Sequence, residues 1–325
     1  MARLAFFGTP ALAAEQLRAL LSSHHEVVLV VAQPDRPKGR GQQLEPPPVK
    51  ALALEHGLLV AQPETLKRDT PSGEAFFELF SRQRIDLAVV AAYGRIVPRR
   101  LLELPPRSFV NVHGSLLPRW RGAAPIQRAI EAGDDVTGVC LMHMVAGLDE
   151  GDVYARATLP IEVDDDSATL TSKLAALGAR LLLDNIDALI DGALPRVPQL
   201  AEGVVYAHQL SKDEGRIDWR KGWRRVRDHA RAMYPWPGAL TSLPGPGGPE
   251  VLKLFVPTTS TRSGPAGEVL DIAEGLVVGT GDGAVQFAEA QLPNKKRMKV
   301  SELLRGRPIA FGTRLGADGA HGALP

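Results

Sequence analysis

Asn111 and His113, two positions apart, open the segment Asn111-Val112-His113-Gly114-Ser115-Leu116-Leu117-Pro118. In extended backbone, residues two apart share a face. A carboxamide beside an imidazole suits a reaction that builds negative charge on a carbonyl oxygen. The amide stabilises the oxyanion and the imidazole moves a proton. The plainer alternative is a His-Gly turn with Asn111 as a strand-end hydrogen-bonder. A second segment, Gly147-Leu148-Asp149-Glu150-Gly151-Asp152, interleaves carboxylates with glycines. It reads as a surface turn, a cation loop, or a loop that brings one carboxylate to His113. A carboxylate there would orient the imidazole and favour its proton-donating form. These residues alone leave Asp149 and Asp152 both open as that partner.

Other chemistries lack their signatures. His113, Cys140, His143 and Asp149 could gather, but their order matches no ligand spacing, and neither His-Glu-x-x-His nor paired Cys-x-x-Cys occurs. No metal is expected, and Cys140 reads as a buried apolar residue. No phosphate-binding Gly-x-x-x-x-Gly-Lys-Ser/Thr loop, Gly-x-Gly-x-x-Gly fingerprint or Gly-x-Ser-x-Gly elbow is present.

The elements that must hold these residues alternate. Leu4–Phe7, Val27–Ala32, Leu87–Ala92, 109–112, Gly138–Met144 and Val153–Leu159 are apolar runs of strand length. Ala11–Leu21 has helical spacing after Pro10, with Thr9 as the expected cap. Ser167–Ile190 is expected as a long helix capped by Ser167. Asn111 and His113 then lie at the C-terminal end of a strand, where ligands bind in open α/β sheets. After about residue 207 short apolar segments broken by Gly and Pro take over: Leu252–Val256, Gly267–Ile272, Leu276–Gly279 and Ala284–Phe287. The expected fold is α/β: a Rossmann-like, mostly parallel sheet domain over 1–190, a linker over 191–207, a small antiparallel OB-like β-barrel over 208–314, and a flexible tail over 315–325. No role attaches to the Pro244–Pro249 run, read as an enlarged barrel loop.

With 325 residues the chain holds about two domains. One cysteine excludes an internal disulfide, and no apolar run approaches a membrane span. Residues 1–10 lack the pattern of an export signal, so a cytoplasmic protein is expected. Charge is uneven. Residues 1–209 carry 21 Lys+Arg and 25 Asp+Glu, net −4, whereas 210–325 carry 17 and 12, net +5. A basic C-terminal half suits a polyanion.

Several motifs match one family. They are Phe7-Gly8-Thr9-Pro10, Gln33–Gly41, Ala91–Pro98, Asn111–Gln127, Gly147–Asp152, Lys212 with Arg216–Trp219, and Pro235-Trp236-Pro237. On these the chain, to about residue 314, resembles the methionyl-tRNA formyltransferases of the folate-dependent formyltransferase family. The wider family shares Asn-x-His-x-Ser-Leu-Leu-Pro with a later Leu-Asp-x-Gly; the 34–41 loop and Arg119–Gln127 point to the tRNA enzyme. The resemblance implies transfer of the formyl group of 10-formyltetrahydrofolate, consumed as a co-substrate, to the α-amino group of methionyl initiator tRNA. It implies Asn111, His113 and Asp149 as catalytic residues. It implies Ser115, Leu116, Leu117 and Pro118, and the backbone around Tyr93, Gly94, Arg95, Ile96 and Val97, as the folate-binding stretches. A monomer is the family default.

For the tRNA, the resemblance implies that the loop carrying Arg36, Lys38 and Arg40 inserts at the acceptor end, Arg40 mattering most. Gln42-Gln43 stands where the family often has a lysine, which predicts one weaker backbone contact. The clusters holding Arg224 and Arg225, and Lys295, Lys296 and Arg297, suit sequence-independent phosphate contact. Trp219 reads as core. Two competing readings are a formyl-folate enzyme acting on a small molecule and a non-catalytic tRNA-binding protein.

Overall fold

The computed structural model describes residues 1–38, 43–245 and 247–316. Its contacts divide into two units: Met1–Pro125, Val136–Pro160 and Thr171–His208 in the first, Ile126–Asp135, Ile161–Leu170 and the chain from Gln209 onward in the second. Two stretches within 1–190 therefore cluster with the C-terminal unit, and residues 191–207 cluster with the first.

In the first unit, seven strands form one sheet in the order Val153–Pro160, Val136–His143, Phe109–His113, Leu87–Ala91, Arg3–Gly8, Glu26–Val31, Val60–Ala61. The last five are mutually parallel. Val136–His143 pairs antiparallel to its neighbours on both sides. Near-continuous apolar strands such as 4–7 and 87–91 are buried along their whole length, as a sheet covered on both faces requires. Phe7 anchors an aromatic cluster with Phe76, Phe80, Tyr93 and Phe109, ring centroids 5.3–6.1 Å away. Strand order reverses between Arg3–Gly8 and Leu87–Ala91, which opens a crevice beyond their C-terminal ends.

The helix Ala11–Leu21 forms where the spacing predicts it, but its N-cap is Pro10 and makes no side-chain cap bond. The Thr9 hydroxyl instead donates to the Tyr93 carbonyl at 3.3 Å and accepts from the Gln33 N–H at 3.4 Å. Helices Pro48–Glu55 and Pro71–Arg82 were not expected. The second begins with the capping signal Thr70-Pro71, the Thr70 side chain accepting from Gly73 N–H at 3.1 Å.

In the second unit, an antiparallel sheet runs Ala239–Leu243, Glu250–Ser260, Ala284–Gln291, Leu276–Gly279, Val269–Asp271, and Met298–Lys299 also pairs with Ala284–Gln291. Residues 312–316 bridge its two ends. Gly312 N–H donates to Val269 and Val269 N–H to Thr313, each at 2.9 Å; Leu315 N–H reaches Gly267 at 2.7 Å and Gly316 N–H reaches Ser242 at 2.9 Å. The curled sheet thus becomes a small barrel. The flexible tail therefore does not start at 315: Leu315 is 3% exposed in the barrel core. Residues 317–325 of that tail, and residue 246 of the Pro244–Pro249 run, lie outside the described residues. Trp219 is core, its indole N–H donating to Thr241 at 3.0 Å and its ring meeting Phe287 edge-on.

The helix Ser167–Asp191 is preceded by its cap: Asp166 accepts from the N–H groups of Ala168 and Thr169 at 2.9 Å each. The Ser167 hydroxyl donates to the Ala232 carbonyl, so the expected cap shifts by one residue.

Candidate active site

The strand Phe109–His113 places Asn111 and His113 at its C-terminal end, in register with Met142 and Cys140. His113 is 5% exposed. Its Nε2–H donates to the Trp120 carbonyl at 3.0 Å, and its Nδ1 faces Asp149 Oδ2 at 3.6 Å. Asn111 Nδ2 donates to Asp149 Oδ1 at 3.4 Å, and Gly122 N–H donates to Asp149 Oδ2 at 2.8 Å. Asp149 rather than Asp152 therefore stands beside the imidazole. Trp120 and Asp149, which supply both oxygens facing the ring, have φ of +64° and +50°. Non-glycine residues in this region cost on the order of 1 kcal/mol or more each, and such strain clusters at working sites.

Gln199 fastens the acidic loop. Its Nε2 donates to the carbonyls of Asp149 and Gly151 at 2.7 Å each. Its Oε1 accepts from Arg121 Nε at 3.1 Å and Nη2 at 2.9 Å. Neither residue is singled out by sequence reasoning. Arg121 sits in a noted motif, but Gln199 lies in the segment expected to be a linker. That segment is tied down, Val197 and Val153 exchanging backbone hydrogen bonds at 2.9 and 3.0 Å.

The crevice is lined by the sharp turn that follows Leu87–Ala91. Ala92 and Gly94 have φ of +44° and +76°. A Cβ on Gly94 would meet Gln33 Nε2 at 2.6 Å, so glycine answers both the backbone and the close approach. Gln33 Nε2 donates to the Tyr93 carbonyl at 2.8 Å. The Tyr93 side chain is buried without a hydrogen-bond partner, and burial pushes its hydroxyl up to about 12. Arg95 donates to the carbonyls of Pro63 and Glu64. Val97 is buried, whereas Ile96 is 84% exposed. In the stretch after Phe109–His113 the buried Ser115 hydroxyl donates to the Arg119 carbonyl at 2.7 Å, Leu117 packs on Cys140, Met142 and Val153, and Leu116 and Pro118 are half-buried.

Burial raises the Cys140 thiol above its ordinary value, so it stays protonated. Burial, then the charge of Arg196, lowers His143, which lies against Tyr154. Among the described residues, the group of His, Cys, Asp and Glu side chains close enough to share an ion is His24, His25 and Asp187, not the set around His113.

The pattern described as "Formyl transferase" matches residues 2–186, and that described as "Formyl transferase, C-terminal domain" matches residues 209–308. The chain belongs to the formyl transferase family. Among curated relatives, the methionyl-tRNA formyltransferase of Chromobacterium violaceum is 44% identical over 97% of this chain and 99% of its own, and that of Burkholderia ambifaria (strain MC40-6) is 45% identical over 98% of each. The fold recurs in solved structures. An N-formyltransferase from Helicobacter canadensis, in complex with folinic acid and dTDP-3-aminofucose, matches with TM-score 0.67 and 19% identity over 90% of this chain and 100% of that one. HypX from Aquifex aeolicus, in complex with tetrahydrofolic acid, matches with TM-score 0.63 and 19% identity over 94% of this chain and 47% of that one.

The basic residues of this formyltransferase fall into three groups. Arg40 lies outside the described residues, as does the Lys38 side chain; Arg36 is exposed and donates to Gln33 Oε1 at 2.8 Å. Arg224, Lys295 and Lys296 are exposed. Arg225 and Arg297 are engaged within the second unit. Arg225 donates to the carbonyls of Glu131 and Ala132 at 3.2 and 3.0 Å. Arg297 pairs with Glu289 and lies over the rings of Phe255 and Tyr234 at 4.5 and 5.1 Å.

Proposed function

We propose that this formyltransferase moves the formyl group of 10-formyltetrahydrofolate to the α-amino group of methionyl initiator tRNA, with Asn111, His113 and Asp149 as its catalytic residues. The carrying observation is the meeting of an amide and an imidazole on one strand end with a carboxylate from a later loop. Family membership and full-length relatives supply the substrates; the crevice at the topological switch point supports the turn Tyr93–Val97 and the stretch Ser115–Pro118 as the folate cleft.

The neutral amine attacks the formyl carbon, and the carbonyl oxygen gathers negative charge. An amide NH2 has two donors. One Asn111 donor is directed at Asp149, which leaves the other for the oxyanion. Both His113 nitrogens face oxygen atoms, the Trp120 carbonyl on Nε2 and the Asp149 carboxylate on Nδ1. His113 donates to the oxyanion by exchanging the Trp120 carbonyl for the reacting oxygen. The amine then loses its proton and N10 gains one as the C–N10 bond breaks; His113 and water carry it. Asp149 orients the imidazole, and its longer contact shortens when substrate closes the site. No covalent enzyme intermediate is needed.

A monomer is the family default, and a translation substrate supports a cytoplasmic enzyme. The net charge of +5 over residues 210–325 supports the barrel as a phosphate-contacting surface, with Arg36, Lys38 and Arg40 at the acceptor end. The test is formylation of methionylated initiator and elongator tRNA by purified protein. Product with initiator alone supports the reading. Folate turnover without tRNA, or tRNA binding without turnover, overturns it. The variant His113→Ala should lose turnover and keep tRNA binding, and persistent turnover would remove the assigned role.

A further inference from the structure

We propose that Tyr206 and His208 form a stacking platform for the 3′-terminal adenine of the aminoacyl-tRNA. This deepens the functional reading above and rests on it.

The segment Tyr206–Ala207 pairs in parallel with Arg121–Gly122, Tyr206 against Arg121 and Ala207 against Gly122. Gly122 is the residue whose N–H holds Asp149 Oδ2. Tyr206 is thus one ladder step and one residue from the carboxylate's own anchor. Residues in register in a parallel pair share a face. On that face the Arg121 guanidinium runs to Gln199, which holds the Asp149 loop.

Ala207 and Leu210 are buried, but Tyr206 is 45% exposed and His208 is exposed. The rings of Tyr206 and His208, two apart in extended backbone, lie nearly parallel at 23°, with centroids 6.4 Å apart. A ring already aligned by its neighbour loses little freedom when a second flat surface adds to it.

The occupant follows from the substrate. In an aminoacyl-tRNA the amino acid is esterified to the ribose of the terminal adenosine. When its amine stands at the formyl carbon, the base lies a ribose further out. One ladder spacing, one strand residue and a tyrosine side chain, at right angles to one another, place the ring within about 10 Å of Gly122, a span comparable to that reach. Base–aromatic stacking requires no particular hydrogen-bond pattern, so Tyr206 would position the acceptor end without choosing between tRNAs.

The test is a cycle between residue and base. Wild-type protein, Tyr206→Ala and Tyr206→Phe are assayed on methionylated initiator tRNA with its terminal adenine intact or removed. In the wild type, removing the base should lower kcat/KM on the order of 10- to 100-fold, mainly through KM. In Tyr206→Ala the intact substrate should already show that loss, and removing the base should add little. Tyr206→Phe, which keeps the flat ring, should keep the base dependence, which separates stacking from a general disturbance of the fold. The KM for formyl-folate should be unmoved. Equal penalties for base removal in the wild type and Tyr206→Ala would overturn the proposal while leaving the formyltransferase reading intact. A wild-type protein that formylates neither substrate would instead overturn that reading, and the platform with it.

Discussion

Asp149 receives hydrogen bonds from Asn111 and Gly122 on its carboxylate and from Gln199 on its carbonyl. The carboxylate is therefore set by its backbone as much as by its charge. Gln199→Leu, close in volume, removes both bonds to the loop and leaves Arg121 without its amide acceptor. A misplacement near 1 Å at the reacting centre costs up to about 10²-fold. The expected result is a kcat lower by that order with little change in the KM for formyl-folate, measured by steady-state kinetics; an unchanged kcat would mean the loop holds itself. Asn111→Ala, which removes an oxyanion donor outright, should cost on the order of 10²–10³ in kcat. At this scale the sequence was readable where side chains speak. Asn111 and His113 share a face because strands have period two, and that alone aimed both at one place. The carbonyl of Trp120 and the N–H of Gly122 were not readable, because backbone groups carry no signature of residue type. Gln199 was hidden for another reason: its surroundings, punctuated by Gly192, Pro195 and Pro198, resemble a linker until the fold brings them to the acidic loop.

Whole elements were legible where apolar residues dominate. Leu276–Gly279 forms with the bounds its composition predicts, and Ala11–Leu21 likewise. The helix Trp223–Ala232 was not, because its many arginines read as a phosphate-tracking strip. Val226 and Ala230 sit at helical spacing and are buried, and Asp228 accepts from both Arg227 and Arg231. Much of that charge is therefore structural. The helix Pro125–Ala132 shows the same economy of charge. Arg128 bridges Glu131 and Glu214 at 2.7 and 2.6 Å, and His229 Nδ1 approaches Glu131 at 3.4 Å. The hydrogen bond from His229, then Arg128, holds the Glu131 carboxyl down to about 2, from an ordinary 4.5. A depressed carboxyl stabilises the fold above its unfolded value and loses that contribution as pH falls through its folded one. Glu131→Gln should thus be less stable than wild type at neutral pH by roughly 1–2 kcal/mol, and unfold at a lower temperature. The gap should shrink as pH drops from 4.5 toward 2, followed by thermal unfolding at each pH. A gap constant across that window would show that Glu131 acts through packing.

Across the molecule, charge is divided more sharply than its total suggests: −4 over residues 1–209 and +5 over 210–325. Formal charge, however, counts cations already committed to internal partners. Arg225, though exposed, donates to helical carbonyls, Arg297 pairs with Glu289 and lies over two rings, and Arg224 lies over the Trp223 ring at 5.2 Å; Lys295 and Lys296 are exposed. The two kinds should separate in the salt dependence of tRNA binding. Each phosphate neutralised releases counterions, so log K falls with log salt by roughly 0.7–0.9 per contact. Lys295→Ala and Lys296→Ala should each weaken binding and flatten the slope by about that amount, if each meets one phosphate. Arg225→Ala should lower thermal stability and leave the slope unchanged, since its guanidinium is already bonded to the Glu131 and Ala132 carbonyls. Titrations of binding against salt, paired with unfolding curves for the same variants, read both quantities. An equal slope change for Arg225→Ala and Lys296→Ala would mean that the contacts with Glu131 and Ala132 give way on binding, and that the whole basic half, not its uncommitted part, faces the nucleic acid.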